Sequence, residues 1–262
     1  MTGFHSLADN LRESFRSLAD GKPRGSVVEL PGVSIASLGV AFQMFNAAFP
    51  SQLIESQSEL EQRLGVAVEY FRANSLRWSF WFCEDWVAPA IRRKLSRTCE
   101  DFGLRLSAEM PGLAADAIGR PTRKVPPLDV RLVRTSESLE DFRLLGSSCF
   151  HVPPVWFSEV FDAGVPQHQK FICWVGYASG VPVATAATIS SHGVIGVYNV
   201  ATAQEYRQRG YAEAITRYAI DAALRETEAE SVVLQSTSQG LNLYARMGFQ
   251  VITRVLVYNS TP

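Results

Sequence analysis

The sequence predicts an α/β (α+β) chain folded as two related halves, each a mixed, mainly antiparallel sheet flanked by helices. Three observations predict it. Strand-like and helix-like stretches alternate along both halves. The segment 117–128, "AIGRPTRKVPPL", separates them with three prolines and no apolar periodicity. Short glycine turns, "SG" at 179–180 and "SHG" at 191–193, join three consecutive strands in the second half. With 262 residues, 47% apolar and 19% charged, the chain suffices for one large domain or two ordinary ones, with a packed core.

Leu7, Leu11, Phe15 and Leu18 recur at helical spacing and predict a helix over 5–19, which "DGKPRG" ends. Val27–Leu30 and Val33–Leu38 read as strands. A helix over 57–73 follows, with Ser58-x-x-Glu61 as its capping box. The aromatic strand 78–83 comes next, then a basic helix near 88–101 and a strand at 104–109. The apolar run containing Trp78, Phe80, Trp81 and Phe82, with Trp86 just beyond it, is most simply a strand covered on both faces. The second half reads as a strand (130–134), a helix capped by Ser136, a short helix (154–162) and strands Lys170–Tyr177, Val181–Ser190 and Val194–Ala201. A helix (209–227), a strand (231–236), a helix (238–247) and a strand (249–259) complete it. The first half repeats the later part of this order. The expected division is an N-terminal helical extension (1–25), a degenerate first copy (26–116), a linker (117–128) and a second domain (129–262).

Composition excludes several classes. A net charge of −1 argues against a protein built to hold nucleic acid. No run of 18 apolar residues exists, so no membrane span is expected. The N-terminus carries acidic residues and no long apolar core, unlike a secretory signal. Cys83, Cys99, Cys149 and Cys173 are scattered without a C-x-x-C, which predicts reduced thiols in a cytoplasmic protein and no metal site.

Two short stretches invite a phosphate-loop reading. In "VIGVYNVATAQEYRQRGYAEAI" (194–215) a strand leads through a loop into a helix, with Gly210 in its first turn. A helix N-terminus presents unpaired N–H groups and partial positive charge, which suits a diphosphate. Glycine at 210 and alanine at 212 permit close approach, and Arg207 and Arg209 add charge. In "QRLGVA" (62–67) the same spacing falls inside the predicted helix, so the Gly65 N–H is already used.

The second half, from about 130 to 260, resembles the GNAT superfamily of N-acetyltransferases. Arg207, Gly210 and Ala212 match that family's coenzyme A signature Q/R-x-x-G-x-G/A, and "LYARMGF" (243–249) is similar to its later helix–strand motif. The first half resembles a degenerate second copy. The resemblance implies acyl transfer from acetyl-coenzyme A, a cosubstrate, to a small-molecule or peptide amine in one ternary complex. It places coenzyme A along Val200, Ala201 and Thr202, on the loop Arg207, Gln208, Arg209, Gly210, Tyr211 and Ala212, and near Thr237. Thr237 stands where many members have Asn, and capping its own helix is the alternative. A backbone N–H near Val200 would polarise the thioester carbonyl. Tyr244 would protonate the leaving thiolate, the other reading being a core tyrosine.

The carboxylate that many members carry on the strand before the loop is missing from 194–201. Glu205, His192 and His151 are the remaining candidates for the base, besides water. Phe150, Trp156, Phe157 and Phe161 are candidates to line the acceptor pocket, with core packing the alternative. No nucleic acid or membrane partner is expected, and monomer and homodimer both stay open. A non-catalytic acyl-coenzyme A module, or a transferase of a longer acyl group, is the alternative function.

Overall fold

The computed structural model describes residues 2–165 and 168–261. They form two compact units, each discontinuous in sequence. The first-half unit comprises Phe15–Gly112 with Val251–Pro262, and the second-half unit Met1–Ser14 with Leu113–Gln250.

Helix α1 (Phe4–Ala19) opens the chain. Strands β1 (Ser26–Leu30), β2 (Val33–Ser37) and β3 (Asn46–Pro50) form an antiparallel meander; α2 (Gln57–Ala73) then leads to β4 (Ser79–Cys83), which pairs parallel with β3. Two short helices, α3 (Pro89–Arg92) and α4 (Leu95–Asp101), precede β5 (Leu104–Ala115). Strand β3 was not expected: "NAAFP" is short, small and ends in proline, yet all five residues are buried. The expected helix 88–101 is broken into two, and β5 runs six residues past the expected end at 109. The cap of α2 is Ser56, not Ser58. The chain offers S-x-x-E twice, and the first copy is used: the Ser56 hydroxyl accepts the Glu59 N–H (3.2 Å) while Glu59 Oε2 accepts the Glu55 N–H (2.8 Å).

The second-half unit follows the expected order. It contains β6 (Asp129–Leu132), α5 (Ser136–Phe150), α6 (Pro154–Val160), β7 (Phe171–Ala178), β8 (Val181–Ser191) and β9 (Val194–Thr202). Then come α7 (Tyr211–Glu226), β10 (Ser231–Gln235) and α8 (Leu241–Arg246). Here β6, β7, β8 and β9 pair antiparallel in sequence order, and β10 pairs parallel with β9. The cap of α5 is Thr135 rather than Ser136, in a reciprocal capping box with Ser138. The last strand, β11 (Gln250–Ser260), returns to pair antiparallel with β4.

Packing explains the aromatic runs. On one face of β4 the Phe80 and Phe82 rings stack at 4.3 Å, and Trp78 stacks on Phe71 of α2 at 4.7 Å. On the other face Trp81 meets Phe15 at 5.1 Å. Both faces are therefore covered, as the continuous run predicts, and each fully buried ring contributes about 1.5–3 kcal/mol. Phe157 and Phe161 are likewise core residues, packed with Phe142; Phe150 and Trp156 stay partly exposed. Gly146 has no Cβ because the Phe157 ring fills that place, 2.2 Å from where one would lie.

Candidate active site

The site is built where β9 parts from β10. Their pairing runs from Val194↔Ser231 to Val197↔Leu234. Beyond Val197 the strand carries a bulge: the β8 register shifts between Thr185 and Ala187, and Asn199 takes a left-handed φ of 50°. The Thr185 hydroxyl donates to the Asn199 carbonyl at 2.8 Å and fixes this turn of the chain. Past the bulge the strand continues through Val200, Ala201 and Thr202, where it ends before the loop. The Thr202 carbonyl then accepts from Arg207 Nε at 3.1 Å and from the Cys149 thiol at 3.3 Å.

The loop contains two left-handed residues, Gln208 (φ 62°) and Gly210 (φ 92°). Gly210 is the N-cap of α7, so the helix starts at Tyr211, two residues later than the sequence suggests. No side chain caps it. The first-turn N–H groups are thus not consumed by a serine or threonine hydroxyl, and they carry the positive end of the helix dipole. Any other residue at 210 is strained by its φ, and its Cβ would lie 2.9 Å from Pro126 Cδ.

Thr202, Arg207, Gln208, Gly210, Tyr211 and Ala212 line one cavity of about 290 Å³. Five other expected positions lie outside its lining: Tyr244, the expected acid, and four cofactor positions. The Arg209 guanidinium sits 5.5 Å over the Tyr206 ring. Val200 and Ala201 lie on β9 before the cavity. Thr237 is exposed, and its hydroxyl accepts the Gly240 N–H at 3.3 Å in the turn before α8. Sequence reasoning missed Arg123, Glu213 and Arg246, which also line the cavity. Arg123 comes from the proline-rich segment 117–128, which gave no signal of its own.

Tyr244 is 7% exposed and packs edge-on against Phe249, 5.7 Å between centroids. Its hydroxyl makes no hydrogen bond among the described residues. Burial pushes its pKa above the ordinary tyrosine value. His192 and His151 both occupy exposed left-handed turn positions, and Glu205 is exposed; none lines the cavity. All four cysteines are free. Among the described residues no cluster of His, Cys, Asp or Glu fit for a metal occurs, and no helix is long and apolar enough to cross a membrane.

An antiparallel meander, a helix with an uncapped N-terminus and a parallel strand beyond it frame this cavity. Residues 169–251 match the family described as "Acetyltransferase (GNAT) domain", and the C-terminal half is such a domain. The full chain is similar to a GCN5-related N-acetyltransferase from Kribbella flavida, with TM-score 0.75, 17% identity, and 100% of this chain and 97% of that one covered. It is also similar to a functionally unknown conserved protein from Staphylococcus epidermidis (TM-score 0.64, 13% identity, 90% and 94% covered). A tandem GNAT protein from the clavulanic acid biosynthesis pathway matches with TM-score 0.58 and 13% identity over 96% of this chain and 88% of that one. At such identities the likeness establishes a shared fold, that of tandem GNAT proteins. Curated protein sequences give no match.

Proposed function

We propose that the protein is a cytoplasmic N-acetyltransferase that moves the acetyl group of acetyl-coenzyme A to an amine acceptor within one ternary complex. The observation that carries this reading is the uncapped start of α7 at Gly210, which lines a cavity together with Arg207. The donor set fits a diphosphate: backbone amides at a helix N-terminus, a glycine with no Cβ and a guanidinium. Acetyl-coenzyme A, when bound, supplies the activated thioester. The main chain after the Asn199 bulge, near Val200, would polarise the acyl carbonyl. Tyr244 Oη would hold the proton destined for the leaving thiolate, and its raised pKa keeps that proton in place through neutral pH. The acceptor is a small-molecule or peptide amine, whose own proton would leave through water.

A second reading, a non-catalytic acyl-coenzyme A module, is favoured by one observation: β9 carries no carboxylate. Calorimetry with coenzyme A, followed by thiol release from acetyl-coenzyme A across an amine panel, separates the two. Binding with turnover on at least one amine supports the enzyme. Binding without turnover supports the module, and failure to bind removes both.

A further inference from the structure

We propose that Arg123 is a phosphate ligand of the coenzyme A site, delivered by the proline-rich segment 117–128 and held ready by the buried carboxylate of Glu213. This rests on the coenzyme A reading above. The segment lies against the second-half unit of which it is part. At one end the Gly119 N–H donates to the Met247 carbonyl at 2.9 Å, and the Gly119 carbonyl accepts from Arg217 Nη1 at 2.6 Å. At the other end Pro126 packs on Gly210, where any Cβ would clash. Arg123 lies between these two points and lines the cavity with Arg207, Gly210 and Ala212.

Glu213 explains why Arg123 stays there. Its side chain is 2% exposed. One carboxylate oxygen pairs with Arg217 at 2.9 Å. The other, Oε2, takes no hydrogen bond and stands 3.5 Å from Arg123 Nε. A buried carboxylate with one oxygen lacking a hydrogen bond is costly, so it holds the Arg123 guanidinium near that oxygen by charge. Arg123 itself makes no hydrogen bond among the described residues, and its side chain is 46% exposed. The approach to Glu213 is through Nε at 3.5 Å and is no hydrogen bond, so the guanidinium's planar donor fork, which matches phosphate oxygens, is not spent on Glu213. Glu213 also sits in the first turn of α7, so Arg123 is anchored at the diphosphate and not at the far end of the cofactor.

Calorimetry with coenzyme A and with 3′-dephospho-coenzyme A tests this. Arg123→Ala should weaken both ligands by the same factor, about tenfold, the size of one charge-assisted contact. Arg123→Lys should recover part of the loss. Glu213→Gln should also weaken binding, by a few-fold, because Arg123 loses its anchor; thermal unfolding of each variant confirms that it is folded. Unchanged affinity in Arg123→Ala, while the wild type binds coenzyme A, would overturn the proposal and leave the coenzyme A reading standing. Tighter binding by Glu213→Gln would also overturn it, since Glu213 would then act only by repelling phosphate. A wild type that binds neither ligand would instead remove the coenzyme A reading itself.

Discussion

The junctions β3–α2 and β9–α7 are the same piece of architecture used in two ways. Each follows a three-strand antiparallel meander, and each helix leads to a strand parallel to the third. Each parallel strand is followed by short helical segments, two (α3, α4) after β4 and one (α8) after β10, and then by a glycine of positive φ, Gly103 (75°) or Gly248 (101°), before the next strand. The difference lies at the helix start. In α2 the Ser56 and Glu59 side chains satisfy the end of the helix, and Arg63, 7% exposed, turns back onto the carbonyls of Gln52 and Leu53. The gap beyond β3 is closed again by a bridge between Ile54 and Val87. In α7 a left-handed glycine stands at the cap, no side chain caps the helix start, and a cavity remains. The fold therefore does not by itself make a phosphate site. A few capping residues decide whether the helix end is used by the protein or left for a ligand.

The comparison breaks most sharply at the two glycines and the residues around them. Gly210→Asp should abolish coenzyme A binding in calorimetry, because it adds φ strain, a clash with Pro126 and a negative charge at the diphosphate. Retained affinity would mean that the working loop lies elsewhere, and two coenzyme A molecules per chain would mean that the first-half unit also binds. Tyr244→Phe should lower turnover by about 10²–10⁴-fold, the range for losing an acid catalyst, with acetyl-coenzyme A affinity within a few-fold. Near-normal turnover would make Tyr244 a core tyrosine only. Its positional counterpart, Cys99, is fully buried in the first-half core and does not line the cavity. Cys99→Ala should leave turnover unchanged.

Smaller effects sharpen the same contrast. Arg63→Ala should destabilise the protein by about 1–2 kcal/mol in denaturant unfolding, since two part-buried charge-assisted hydrogen bonds to the Gln52 and Leu53 carbonyls are lost, yet leave coenzyme A affinity intact. An accompanying loss of affinity would tie Arg63 to the cofactor. Burial raises the folded-state pKa of Tyr244, so its contribution to stability is complete below the unfolded value of about 10 and is lost as pH rises above it. The wild type should lose stability above about pH 10 more steeply than Tyr244→Phe; identical slopes in pH-dependent melting would refute a buried Tyr244. Gly65→Asp should have the least effect, within about twofold on affinity. Gly65 lies inside α2, an added Cβ there meets only the Phe102 ring at 3.7 Å, and helix interiors disfavour glycine by about 1 kcal/mol relative to alanine.

The order of strands and helices in the second half was legible because it is written locally. Apolar periodicity, the "SG" and "SHG" turns and the strand–loop–helix context of Gly210 each span only a few residues. The interior place of Gly65 was legible for the same reason, although its helix is capped from the earlier of two S-x-x-E copies. Strand β3 escaped because "NAAFP" is a strand only through its partners: neighbours on both sides hold five small or apolar residues that carry little propensity of their own. Arg123 escaped for a stronger reason. Nothing within "GRPTRKVPP" marks one arginine among its basic residues; the choice is made by Glu213, ninety residues later, and by the pinning of Gly119 and Pro126. By itself the sequence determined most of the local elements and which of two glycine-bearing stretches opens a helix. Only the tertiary structure decided that β3 forms and that Arg123 stands beside Glu213. Those outcomes depend on long-range burial and pairing, which no local pattern encodes.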